Sequence, residues 1–228
     1  MTELPPPTGA GVERGVAILH CTTPSGLLAT SRATLLDVGL DAGADVLLTT
    51  AHGLPSTADE VRRACRILAR GKEHLIEAVW HAGGYAAGPE HDWAVLVSER
   101  IKGELRRWRA TEAGASWLEQ LVADNARVRL VLRYADATQS DCQLEAWTTQ
   151  RLLVHTCVTY PGTSGSPLVV GVELEPVLIG LHVGSQWSFD GQKLDVVSVA
   201  RPLDAAVIAA IDAAAAAATA AVPRKRRH

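Results

Sequence analysis

The chain has 228 residues, 47% of them hydrophobic and 21% charged, with a net charge of −3. This composition suits a soluble globular protein of one large domain or two small ones. The net charge favours no polyanionic partner such as nucleic acid, and no apolar run approaches the roughly 20 residues of a membrane helix.

Residues 1–13 read as a flexible lead-in, and the Pro-rich start from Met1 to Gly11 has no basic segment followed by an apolar one. No secretion signal is expected. The four cysteines, Cys21, Cys65, Cys142 and Cys157, have no close-pair metal spacing. No metal or other cofactor is expected, the thiols are expected to be reduced, and the location cytoplasmic. Val16-Ala17-Ile18-Leu19 and the stretch from Leu27 to Val38 read as strands. The run from Ala44 to Ala51 reads as a buried strand that ends at His52, before Gly53 and Pro55. A short helix follows, with Ser56 as its cap. Leu75 to Trp80 is a strand, and after the Gly83-Gly84 loop Asp92 opens another apolar strand, Trp93 to Val97.

Residues 106–126 change character. Trp117, Leu118, Leu121 and Val122 recur at helical spacing, which predicts a helical linker between two halves. Trp108 and Trp117 read as packing residues. Strands follow over Val128 to Tyr134, Leu152 to Val158, Val177 to Ser185 and Leu194 to Val199. Leu203, Val207 and Ile211 form an i, i+4, i+8 stripe on a C-terminal helix, and residues 223–228 form a basic, solvated tail.

One stretch between these strands carries chemistry. Tyr160-Pro161-Gly162-Thr163-Ser164-Gly165-Ser166-Pro167 puts a serine between glycines. Glycine permits a tight turn that exposes the Ser164 hydroxyl and aims the amides of Gly162 and Ser164 at one point. A plain glycine-rich turn would look the same. A serine hydroxyl becomes a nucleophile only with a base beside it and a group that orients the base. Histidine and a buried carboxylate fill those roles. The chain supplies His52, Asp92 and Ser164 in that order, each beside a strand-like run.

Together T-T-A-H-G-L, H-D-W-A-V-L and G-T-S-G-S-P resemble the motifs of the trypsin-like (chymotrypsin-fold) serine peptidases, over about Val16 to Ile211. The last motif is closest to the glutamyl endopeptidase branch. The resemblance implies an all-β protein of two six-stranded antiparallel β-barrels with the active site between them, closed by a C-terminal α-helix. Residues 14–105 would form the N-terminal barrel with His52 and Asp92, and residues 127–222 the C-terminal barrel and helix with Ser164. It also implies Ser164 as nucleophile, His52 as general base, Asp92 as orienter, and the Gly162 and Ser164 amides as oxyanion hole.

Specificity follows the same way. Val158 stands where trypsin-like enzymes that cut after Arg or Lys carry an acid. Thr159 and the His182 of Gly180-Leu181-His182 match the residues with which the glutamyl branch and related viral proteases bind Glu or Gln. Val183, Gly184 and Ser185 would pair with an extended substrate. The expected function is cleavage of protein or peptide substrates after Glu or Gln, with narrow specificity or an activating partner to restrain it. A catalytically silent peptide-binding module, and a scaffold that recruits through its basic tail, remain as alternatives. The sequence carries no sign of oligomeric state.

Overall fold

The computed structural model describes residues 15–23, 25–38, 43–81, 87–102, 107–132, 138–171, 176–189 and 194–220. The Pro-rich lead-in, the Gly83-Gly84 loop and the basic tail lie outside the described residues.

The N-terminal half contains β1 (Val16–Thr22), β2 (Leu28–Asp37), β3 (Ala44–Thr49), α1 (Ala58–Ala64), β4 (Cys65–Ala69), β5 (Lys72–His74), β6 (Ile76–His81), β7 (Ala94–Glu99) and β8 (Trp108–Arg109). Its strands form one sheet of eight in the order β5-β4-β1-β2-β3-β7-β6, with β8 added to β2. The resemblance predicts a closed barrel here; the sheet stays a half-barrel. β5 and β6 are separated only by Leu75, yet they pair with β4 and β7 and not with each other, so the ladder curls without closing. β3 is buried along its whole length, as its apolar run requires. The cap of α1 is Thr57, not Ser56. Its side chain accepts from the Glu60 amide while Glu60 reaches back to the Thr57 amide, a closed capping box.

The C-terminal half begins with α2 (Ala115–Ala123), shorter than the predicted linker helix, which turns Leu118 inward and leaves Trp117 exposed, while Trp108 is buried. Then come β9 (Arg127–Val131), β10 (Thr138–Trp147), β11 (Leu153–His155), β12 (Pro167–Val170), β13 (Val177–Phe189) and β14 (Leu194–Pro202). They close into a six-stranded barrel in the order β10-β11-β14-β13-β12-β9. Inside it pack Leu130, Leu132, Leu144, Leu153, Leu168 and Ile179. The chain ends in α3 (Ala205–Ala220), which buries Val207, Ile211, Ala214 and Ala218 and packs back on β3, β6 and β7 of the other half. This helix, with Val95, Trp93, Val169 and Leu181, makes one apolar cluster shared by both halves. That shared core fixes the two halves against each other, and with them the cleft between.

The sequence predicts reduced cysteines; the structure pairs all four in disulfides, Cys21 with Cys65 and Cys142 with Cys157. Cys21 and Cys65 are direct register partners on β1 and β4. Cys142 on β10 meets Cys157 just past β11 through the pairing of those two strands. Contacts of this kind depend on strand pairing, which cysteine spacing does not reveal. The disulfides remove the ground on which a reducing, cytoplasmic location is expected. Among the described residues no helix is long and apolar enough to cross a membrane.

Candidate active site

His52 and Asp92 meet because β3 and β7 are antiparallel neighbours. Thr49 pairs with Ala94, so the residues just beyond, at 51–52 and 92, face each other across the mouth of the ladder. A single-turn 3-10 helix, Pro89–His91, delivers Asp92 to that point. Asp92 is fully buried. A buried carboxylate is costly unless its oxygens are engaged. Here Oδ1 accepts the amides of Ala51 and His52, at 2.9 and 2.8 Å, and Oδ2 lies 2.7 Å from His52 Nδ1. These contacts hold Nδ1 as the protonated ring nitrogen and turn Nε2 away from the carboxylate. The His52 side chain is 34% exposed and lines a cleft of about 300 Å³ with Val183, Gly184, Ser185 and Gln186.

Ser164 lies between β11 and β12, on a loop fastened to both halves. On one side the Gly165 amide donates to the His182 carbonyl at 2.8 Å and the His182 amide to the Ser166 carbonyl at 2.9 Å, continuing the ladder of β12 with β13. On the other side the Arg32 amide of β2 donates to the Ser164 carbonyl at 2.6 Å, and the Thr34 hydroxyl to the Gly165 carbonyl at 3.0 Å. This approach explains the glycine after the serine. Gly165 has φ +89°, and a Cβ there would stand 1.9 Å from the Arg32 carbonyl oxygen. The turn before Ser164 closes on itself. Thr163, buried, donates its amide and hydroxyl to the Tyr160 carbonyl, at 3.1 and 2.8 Å. Gly162 has φ +90°. The Gly162 and Ser164 amides have no hydrogen-bond partner among the described residues.

The Ser164 hydroxyl is 3.5 Å from the Val183 carbonyl, at the long limit of hydrogen bonding. Val183 also lines the cleft with His52. His52 and the predicted substrate-pairing residues therefore line one cleft, and the Ser164 hydroxyl contacts one of its lining residues, Val183. β12 pairs with β13 only as far as Leu181, so among the described residues no strand covers the second edge of Val183–Ser185.

A second cavity of about 460 Å³ adjoins the first and shares Ser185 with it. Thr159 lines it, with Oγ1 3.1 Å from Ser198 Oγ. His182 does not line it. That ring is 2% exposed, and its Nδ1 stands 3.2 Å from Nε2 of His155. His155 is the residue of the pair that lines the cavity, with Glu145. Burial, and then the neighbouring His182, lower the His155 pKa to about 3; burial lowers that of His182 to about 4 against a hydrogen bond to the Val199 backbone, with His52 adding a smaller lowering. From sequence His155 is only the end of an apolar strand. Nothing but the pairing of β11 with β14, and of β14 with β13, brings it beside His182. Among the described residues no group of three or more His, Cys, Asp or Glu could hold a metal ion.

No protein-family profile matches the chain, and no curated protein does. Solved structures do. The protease Anisep from Arthrobacter nicotinovorans is similar over 90% of this chain and 98% of its own, with 10% identity and a TM-score of 0.62. The thermostable serine protease AL20 from an extremophilic microorganism is similar over 92% and 99%, with 11% identity and a TM-score of 0.59. The inactive form of the Rv3671c protease is similar over 89% of each chain, with 14% identity and a TM-score of 0.52. At such identities the likeness establishes the fold, which is that of the trypsin-like serine proteases.

Proposed function

We propose that the protein is a serine endopeptidase in which Ser164 attacks the peptide carbonyl, His52 takes and returns the proton, and Asp92 orients His52. One observation carries the reading: a fully buried Asp92 spends both oxygens on the His52 segment, and the cleft that His52 lines reaches the carbonyl touched by the Ser164 hydroxyl. The weak 3.5 Å contact of that hydroxyl leaves it free to turn to His52 when substrate enters. The unpaired Gly162 and Ser164 amides would hold the oxyanion. The turn that carries them is fastened by Thr163, whose hydroxyl donates to the Tyr160 carbonyl. Protein or peptide substrates would lie along the open edge of Val183–Ser185.

The fact that the Ser164 hydroxyl contacts Val183 favours a second reading, a silent module that binds extended peptides in the same cleft. A fluorophosphonate separates the two. The enzyme forms a covalent adduct on Ser164, lost in Ser164→Ala, whereas a silent module stays unmodified while folded. The preference for Glu or Gln expected from Thr159 and His182 turns on the histidine pair beside Thr159.

A further inference from the structure

Arg201, on β14, is 7% exposed. A guanidinium rarely leaves water unless its donors are engaged. Three contacts engage this one. Nη1 donates to the Pro202 carbonyl at 3.0 Å, and Nη2 to Asp204 Oδ2 at 2.5 Å. Asp204 in turn holds the start of α3: its Oδ1 accepts the Val207 amide at 3.2 Å and its carbonyl the Ile208 amide at 3.0 Å. Both contacts stay within the C-terminal half. The third crosses to the other half, where Nε donates to the Glu90 carbonyl at 2.5 Å.

Glu90 is the middle residue of Pro89–His91, the single-turn helix that delivers Asp92. The amides of this turn go to other carbonyls: His91 donates to Gly88, Asp92 to Pro89 and Trp93 to His91. A single turn held by such bonds has little stiffness of its own. Yet Asp92 must place its two oxygens within hydrogen-bond reach of the His52 amide and the His52 ring together. The Arg201 bond is charge-assisted, and such bonds are the stronger kind. The Ser164 loop is held in a matching way. There the Arg32 amide, on β2 of the N-terminal half, takes the Ser164 carbonyl. Arg201 does the reverse, from a strand of the C-terminal half to the turn of Asp92. Its register partner is Leu181 of β13, the strand that continues to Val183 at the cleft.

We propose that Arg201 is a positioning residue of the active site: from β14 it holds the Glu90 carbonyl, and so fixes the turn that sets the Asp92 carboxylate against His52. It touches neither substrate nor the reacting atoms and acts through Asp92 alone. This inference rests on the serine endopeptidase reading.

The test is fluorophosphonate labelling of Ser164, read as the maximal rate and the reagent concentration that gives half of it. It is run on the unaltered protein, Arg201→Met, Asp92→Asn and the double variant, with thermal unfolding to verify that each folds. Arg201→Met is expected to lower the maximal rate about 100-fold, the cost of a displacement of about 1 Å, and to change the half-saturating concentration less than about threefold. Beside Asp92→Asn, where the carboxylate is already gone, the same substitution is expected to cost less than about threefold. Arg201→Lys keeps the charge and a donor and is expected to lose only about tenfold. If Arg201→Met does not fold, Arg201→Lys takes its place in the cycle, with that loss expected alone and none beside Asp92→Asn. A folded Arg201 variant that labels at the unaltered rate overturns the inference and leaves the endopeptidase reading in place. An equal loss with and without the Asp92 carboxylate also overturns it, since that is the mark of a merely structural role. An unaltered protein that is folded and does not label overturns both.

Discussion

Each half holds one paired histidine site, a histidine with a carboxylate in the N-terminal half and a histidine with a histidine in the C-terminal half, and the two are built in opposite ways. In the N-terminal sheet His52 is partly exposed and faces a buried carboxylate that two backbone amides also hold. In the C-terminal barrel His155 and His182 are both buried and face each other, with no carboxylate between them. A carboxylate partner stabilises the imidazolium that forms when a histidine takes a proton, which suits a general base. A second histidine in a buried site does the reverse, so that pair stays neutral and can only exchange hydrogen bonds. The local partner thus decides whether a histidine is suited to take a proton or is held neutral.

The comparison breaks most sharply at the nucleophile. Ser164→Ala is expected to lower kcat on the order of 10⁶-fold, measured on a cleaved peptide, because it removes the attacking oxygen of the proposed mechanism. Asp92→Asn is next. The amide that replaces Oδ2 can no longer accept from His52 Nδ1, so the ring turns to the wrong tautomer, and kcat is expected to fall on the order of 10⁴-fold with little change in KM. Gly165→Ala places a methyl group against the Arg32 carbonyl and is expected to shift the Ser164 loop, with a loss of roughly 100-fold in kcat/KM and a lower melting temperature.

The smallest effect concerns the neutral pair. His155 and His182 titrate near 3 and 4 in the folded protein and near 6.5 when unfolded. Between these values the unfolded chain binds more protons. The stability that the pair retains is therefore complete above about pH 6.5 and is lost as pH falls towards the folded values. The melting temperature is expected to decline between pH 7 and pH 4, and His155→Leu is expected to flatten that decline. An equal slope in both proteins would mean that the pair is not buried neutral.

Much of this half-to-half design is legible in the sequence, and the rest fails for physical reasons. His52, Asp92 and Ser164 stand out because each ends or opens a buried apolar run, and strand ends are where the ladder releases a side chain. Gly165 stands out because glycine tolerates the positive φ that the turn needs, although its close approach to β2 is a tertiary fact. The disulfides, the unclosed N-terminal sheet and the burial of His155 against His182 were not legible. Each depends on which strands become neighbours, and a local pattern of alternation is silent about that. Thr57 displaced Ser56 as helix cap for a smaller reason: only Thr57 stands three residues before Glu60, the spacing of a reciprocal capping box.

The measurement that bears most directly on the endopeptidase reading is mass spectrometry of the intact, folded chain after exposure to a fluorophosphonate. The reading predicts one adduct per chain, mapped to Ser164, and its suppression in His52→Ala. A chain that remains folded and unmodified, or one labelled equally well without His52, would contradict it.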